Sequence, residues 1–226
     1  MTPQAAIDSF YSAGVLISPG QAYAIGAAIA AAGPRPNVLV FGCGNDSPMW
    51  QAMNEAGRTV FVEDDAAWIE KTRRRFPDLE ICRVSYGDTT VARSLPIRDE
   101  ALAEVPIPEV LTDSAWDVIL VDGPMGFRPQ DTGRSLSIYW ASRVMGDTAQ
   151  VFVDDYERPL ERLHANRFIR SKRLWNVELL RLFSDGRRSG TKPKMLWSIG
   201  VTSSLTAGLV PDFGRTRSPA AQSTVA

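Results

Sequence analysis

Histidine and cysteine are scarce in this chain: one and two residues among 226, with neither thiol placed at metal-ligand spacing. Cys43 and Cys82 lie in apolar, strand-like surroundings. That excludes a disulfide framework and reads as reduced structural thiols, for which a reducing cytoplasm is the expected compartment. An excess of one charge is also missing, since 25 Lys and Arg stand against 26 Asp and Glu. No global field draws the chain to nucleic acid or to an anionic membrane, so any anion recognition must be local. Long hydrophobic runs are absent too. The longest apolar stretch, residues 22–32, is alanine-rich and too short to span a bilayer, and no basic segment followed by an apolar one opens the chain. No membrane contact and no nucleic-acid partner are expected, and there is no internal repeat.

The length suits one domain with one core. Small residues with Ala22, Ile25 and Ile29 on one face predict a helix over 18–32, stopped by Gly33-Pro34-Arg35-Pro36. Apolar runs at 37–41, 59–62, 116–121 and 151–153, with a weaker one at 79–84, have the continuous Val/Ile/Leu/Phe character of strands buried on both faces. Helical segments at 47–55 and 66–76 separate the first of them, so the pattern alternates β and α and predicts a doubly wound, mostly parallel sheet. A helix over 159–169 precedes strands at 177–183 and 195–201. With no helix between them, these form an antiparallel C-terminal hairpin. The domain is expected to end near 202, and the Ser/Thr/Ala/Pro-rich residues 203–226 to form a flexible tail.

Ligands of such sheets bind beyond the carboxyl ends of the strands, where Gly42 and Gly44 follow the first one. Glycine lets a backbone turn sharply and approach a ligand. Glu63 ends the second strand about twenty residues on, where an acid can accept from both ribose hydroxyls. The combination points to a nucleoside. Ser47 stands where a dinucleotide fingerprint needs a third glycine, and Asp46 would repel a pyrophosphate at the helix start. A carboxylate there suits the ammonium or sulfonium of S-adenosylmethionine, although Asp46 is equally explained as a helix N-cap.

Three acids close the fourth and fifth strands: Asp122 after 117–121, and Asp154 with Asp155 after 151–153. Together they can ligate a hard divalent cation such as Mg, Mn or Co, which would acidify an acceptor hydroxyl. Alternatively Asp122 is a general base, and the acids otherwise cap loops. Arg128 and Arg134, in the loop after the fourth strand, and Arg158 with Arg162, one helical turn apart after the fifth, can fork onto an anionic acceptor or stay solvated. His164 shares a helical face with Leu160 and Phe168, which favours packing over catalysis. Arg73-Arg74-Arg75 reads as a solvated helix end opposing the dipole, and Trp68 either covers an adenine or joins the core.

Val38-Leu39-Val40-Phe41-Gly42-Cys43-Gly44 resembles the first motif of class I methyltransferases, with Val40 where many of them carry an acid. Further blocks resemble, in order, the plant polysaccharide-biosynthesis family that includes glucuronoxylan 4-O-methyltransferase. They are Asn45-Asp46-Ser47-Pro48-Met49-Trp50; Gly57 through Asp65; Trp116 through Pro124 with Gly126-Phe127; Gly133-Arg134 with Ile138-Tyr139; and Val151 through Asp155 with Glu157-Arg158. The resemblance implies a Rossmann-like sheet and an O-methyltransferase acting on a saccharide or small anionic metabolite, with the metal optional. It implies a donor site of Phe41, Gly42, Gly44, Asp46, Ser47, Glu63, Asp64 and Asp122, catalytic Asp122 and Asp155, metal-ligating Asp122, Asp154 and Asp155, and acceptor contacts from Arg128, Arg134 and Arg158. Asp154 departs from the histidine that plant members tend to carry, and no membrane anchor of the plant kind is expected. The alternatives are aminopropyl or other alkyl transfer, in which the acids hold an amine, and a non-catalytic nucleoside-binding scaffold.

Overall fold

The computed structural model describes residues 1–12, 14–96 and 98–169, and the backbone of 177–180 and 196–199. Seven strands form one sheet: β1 (Asn37–Phe41), β2 (Arg58–Glu63), β3 (Glu80–Arg83), β4 (Trp116–Val121), β5 (Met145–Val153), β6 (Val177–Leu180) and β7 (Leu196–Ile199), in the order β3-β2-β1-β4-β5-β7-β6. The first five run parallel, while β7 pairs antiparallel with both β5 and β6, which is the expected edge hairpin. Residues 203–226, predicted as a tail, lie outside the described residues.

The apolar strand runs divide by their period of two. Leu39, Phe41, Val60, Val62, Ile119, Val121, Val151 and Val153 enter one core; Val38, Val40, Phe61, Val118, Leu120 and Phe152 enter the other. Burial of each such side chain contributes about 1.5–3 kcal/mol, so both sheet faces must be covered. The helices that cover them are α1 (Pro3–Phe10), α2 (Pro19–Ala31), α3 (Ser47–Met53), α4 (Ala66–Arg75), α5 (Val91–Ser94), α6 (Asp99–Ala103), α7 (Glu109–Thr112), α8 (Ser135–Val144) and α9 (Pro159–His164), the last continuing into a π-helical turn, Ala165–Ile169. The start of α2 is set by a capping box: Ser18 Oγ accepts from the Gln21 amide at 3.2 Å and Gln21 Oε1 accepts from the Ser18 amide at 2.8 Å, with Pro19 in the first turn. Among the described residues no helix is long and apolar enough to cross a membrane.

Five helices were not foreseen: α1, α5, α6, α7 and α8. Helix α8 is buried over eight of its ten positions, but three of these are serines, so its burial is not written as hydrophobicity, and no side chain caps its start. Helix α1 begins at Thr2, whose hydroxyl accepts from the Ala5 amide, a short-range signal two residues from the chain start. Strand β5 begins at Met145, six residues earlier than its apolar run, because its exposed first half lies beside Trp116 across a bulge in the β4 pairing.

Candidate active site

The sheet order reverses at β1, which has β2 on one side and β4 on the other, and the loops leaving these strands open the crevice beyond their carboxyl ends. Ladder bonds continue past the strands and set the loop residues side by side. The Gly42 amide donates to Val62 at 2.7 Å, Asp122 to Phe41 at 2.9 Å, and Asp154 to Val121 at 3.0 Å. Gly42 has φ +102°, a conformation that favours glycine. Gly123 packs backbone to backbone against it: a Cβ added there would lie 2.8 Å from Gly42 Cα and 3.0 Å from its nitrogen. Gly123→Ala should therefore force the two loops apart. The expected cost is about 1–3 kcal/mol in chemical denaturation; a variant as stable as wild type would contradict this packing.

The first half of the site is the loop after β1 with the end of β2. Glu63 is buried, and its carboxylate accepts three backbone amides: Asp64 at 2.9 Å and Asp65 at 3.1 Å on Oε1, Cys43 at 3.3 Å on Oε2. Burial pushes its pKa up while these amides hold it down. Oε1 already accepts two backbone amides, so acceptance from ribose hydroxyls, as expected of Glu63, falls to Oε2. Asp64, next to it, lines a cavity of about 410 Å³ with Arg83, Val84, Ser85, Tyr86, Gly87 and Thr132. Ser47 is fully buried and its hydroxyl accepts from the Gly44 amide at 2.8 Å, closing the loop on itself. Asp46 occupies the N-cap position of α3 without capping it by side chain; its Oδ2 accepts from the Trp50 indole at 3.1 Å. The Phe41 ring belongs to the core, so only its backbone borders the crevice.

Cys43 is buried, which pushes its thiol up to about 12 and keeps it protonated. Trp68 donates its indole N–H to the Cys43 carbonyl, so it braces this loop. The run Arg73-Arg74-Arg75 is exposed in the last turn of α4, as expected, and two of its guanidiniums also tie down neighbouring backbone and side chain: Arg73 donates to the Ile81 carbonyl at 2.7 Å and Arg75 to Asn45 at 2.7 Å, while Arg74 pairs with Glu70 on its own helix.

In the second half, the three acids after β4 and β5 converge, but on an arginine. Arg134, whose side chain is 6 % exposed, places Nη2 3.2 Å from Asp122 Oδ1 and 3.0 Å from Asp155 Oδ2, and Nη1 3.6 Å from Asp154 Oδ2. It also donates to the backbone carbonyls of Asp154 at 2.6 Å and Asp122 at 2.8 Å. Burial works against the guanidinium charge, yet Asp122, Asp154 and Asp155 hold its pKa above the ordinary arginine value. Two sequence-based expectations find no support in this geometry. Among the described residues no three His, Cys, Asp or Glu side chains are arranged to hold a metal ion. The oxygens a hard cation would need at about 2.0–2.6 Å are directed at Arg134 instead, so Asp122, Asp154 and Asp155 do not fit that role. Both terminal nitrogens of Arg134 are committed to protein oxygens, which leaves neither of them for an acceptor.

Asp155 is the one described non-glycine residue with positive φ, at 56°, a strain on the order of 1 kcal/mol. This turn lets its Oδ2 bridge Arg134 to Arg158, which lies 2.8 Å away. Asp122 is the acid of the cluster most open to solvent, at 27 %, against 0 % for Asp154 and 7 % for Asp155. Burial pushes the Asp122 pKa well above the usual carboxylate range, with Arg134 opposing and Asp154 adding to the rise. Arg128 is exposed, and the Arg158 guanidinium lies 3.9 Å over the Phe127 ring. Glu161 was not foreseen. It is fully buried, neither of its oxygens has a hydrogen-bond partner, and burial pushes its pKa up. Its spacing of three from Arg158 was the available signal. Glu161 adds a further carboxyl group beside Asp155, Arg134 and Arg158, and both guanidiniums oppose the rise in its pKa.

His164 is packed as expected, buried against Phe168, with Nε2 2.8 Å from the Ser94 carbonyl. Since a carbonyl only accepts, Nε2 carries the hydrogen. Burial lowers the pKa of His164 below its ordinary 6.5. The unfolded chain then binds the proton first, so this contribution to stability is present above 6.5 and is lost as pH falls from there through the folded value. The pH dependence of unfolding below neutrality should flatten in His164→Gln, and an unchanged slope would refute the assignment.

The sequence matches the family described as IRX15/IRX15L/GXM over residues 23–97 and 93–183. Glucuronoxylan 4-O-methyltransferase 2 of Arabidopsis thaliana is 40% identical over 147 residues, which are 55% of this chain and 50% of that protein. Arabinogalactan O-methyltransferase 2 of the same plant is 35% identical over 176 residues, 63% of this chain and 60% of that one. The chain thus spans about half the length of the curated relatives it matches. Among solved structures, precorrin-6y C5,15-methyltransferase from Geobacter metallireducens GS-15 superposes with a TM-score of 0.50 at 14% identity, covering 84% of this chain and 94% of that one. That likeness is one of fold.

Proposed function

This chain belongs to the IRX15/IRX15L/GXM family, and from that premise we propose that it is an O-methyltransferase using S-adenosylmethionine on a hydroxyl of an acidic sugar. The observation that carries the reading is the meeting, at the carboxyl ends of β1, β2 and β4, of a Cβ-free cradle with buried Glu63 on one side and half-open Asp122 on the other.

The residues present fit the donor. The turn at Gly42 and Gly44 borders the space given to its methionine part, Glu63 Oε2 and Asp64 are assigned to ribose hydroxyls, and the 410 Å³ cavity beyond Asp64 has room for the base. When bound, S-adenosylmethionine supplies an electrophilic methyl group on a sulfonium. The chain's own work is to align an acceptor hydroxyl and take its proton. Alignment carries much of the rate, because in-line transfer depends on geometry. Asp122 is the proton acceptor: it is the most open acid of the cluster, and its raised pKa makes it a better base near neutrality than an ordinary carboxylate. Arg134 holds Asp122 and Asp155 in place, and Asp155 in turn holds Arg158. Arg128 and Arg158 are the candidates for the acceptor's carboxylate. The divalent cation weighed from the sequence has no role here, for Arg134 sits among its would-be ligands.

The test is incubation with methyl-labelled donor and a panel of uronosides and neutral glycosides. Label in a uronoside methyl ether supports the proposal. Label released as methylthioadenosine when an amine acceptor is added would favour aminopropyl transfer, and failure to bind either S-adenosylmethionine or S-adenosylhomocysteine in calorimetry would favour a scaffold.

A further inference from the structure

The loop between β4 and α8 holds two large apolar side chains out of the core, Met125 at 67 % and Phe127 at 76 % exposure. They are not there through looseness of the backbone. Asp131 Oδ2 accepts the amides of Phe127 at 2.9 Å and Arg128 at 2.7 Å, the Gly133 amide donates to Met125 at 2.8 Å, and Val91 donates to the Asp131 carbonyl at 2.9 Å. One face of the Phe127 ring is covered by the Arg158 guanidinium, which Asp155 holds. Asp155 shares Arg134 with Asp122, so a continuous set of contacts joins the ring to the proposed base. Arg128, next to Phe127, is exposed and makes no ion pair among the described residues.

A rigidly held ring with an exposed face, beside a cation with no ion pair among the described residues, suits a ligand that is apolar on one face and anionic at its rim. A pyranose carrying a carboxylate has those two features: its C–H groups form a face, and its charge lies at the edge. We propose that Phe127 is the platform on which the acceptor's uronosyl ring stacks, with Arg128 reading its carboxylate and Arg158 fixing the aromatic ring from behind. This rests on the reading of the site as a sugar O-methyltransferase, whose acceptor it defines further. An aromatic face contact contributes about 0.5–1.5 kcal/mol, or roughly two- to twelvefold in affinity.

The experiment measures binding of methyl glucuronoside and methyl glucoside to the full chain in the presence of S-adenosylhomocysteine, by calorimetry or ligand-observed NMR. The glucuronoside should bind more tightly than the glucoside. Phe127→Ala should weaken the glucuronoside about two- to twelvefold and raise its KM more than it lowers kcat, Phe127→Trp should restore binding, and Arg128→Gln should remove the preference for the charged sugar. Because the ring is exposed, Phe127→Ala should keep the wild-type Tm and affinity for S-adenosylhomocysteine. Equal binding of glucuronoside by wild type and Phe127→Ala, or no binding by wild type, overturns the platform. Loss of donor binding by wild type overturns the methyltransferase reading instead, and a Phe127-dependent sugar site without donor binding would leave the platform standing alone.

Discussion

Arg134→Ala is expected to cost about 3–5 kcal/mol of stability and to abolish turnover, because it strips the shared cation from Asp122, Asp154 and Asp155 at once. Removing one partner of a buried ion cluster leaves uncompensated charges where water cannot solvate them, a penalty larger than the cluster's net contribution when intact. Urea unfolding reads the effect directly. Arg134→Lys should fall between, since an ammonium keeps the charge but cannot fork to Asp122 and Asp155 while also donating to two carbonyls. A second consequence separates this account from simple damage. With the guanidinium gone, three carboxylates face one space, so millimolar magnesium or calcium should raise the Tm of Arg134→Ala and leave wild type unmoved. Wild-type stability in Arg134→Ala would show that the cluster is not the buried unit described.

Asp122→Asn should lower kcat by about 10²–10⁴-fold, the range for loss of a general base, while affinity for S-adenosylhomocysteine stays within a few-fold. The pH profile adds a sign. A base must be ionised to accept a proton, so kcat rises with pH through the folded pKa of Asp122. Burial places that pKa well above the usual carboxylate range, so the acid limb should lie above the position an exposed aspartate would give it. The residual activity of Asp122→Asn should lack this limb. An unchanged kcat, or the same limb in the variant, would move the role to another residue.

Several features were legible because they depend on near neighbours in sequence. Strand runs such as 116–121 announce themselves by composition when both faces of a sheet are covered, and the start of α2 is written in Ser18, Pro19 and Gln21. Glu63 could be placed because a strand end fixes a side chain relative to the loop beside it, here by its bond to the Cys43 amide. Helix α8 was missed because three of its buried positions are serines and no side chain caps its start.

The sequence by itself thus determined the alternation of strands and helices, the glycine loop after β1, and which acids close β2, β4 and β5, since each follows from local pattern. Only the tertiary structure decided what those acids face. Asp122, Arg134, Asp155 and Arg158 come from two strand ends and two helix starts, brought within about 3 Å of one another by the order of the sheet and by a left-handed turn at Asp155. No spacing along the chain encodes whether three such carboxylates enclose a metal or a guanidinium. The entry angle of α8 encodes it, by pointing Arg134 into the space between them.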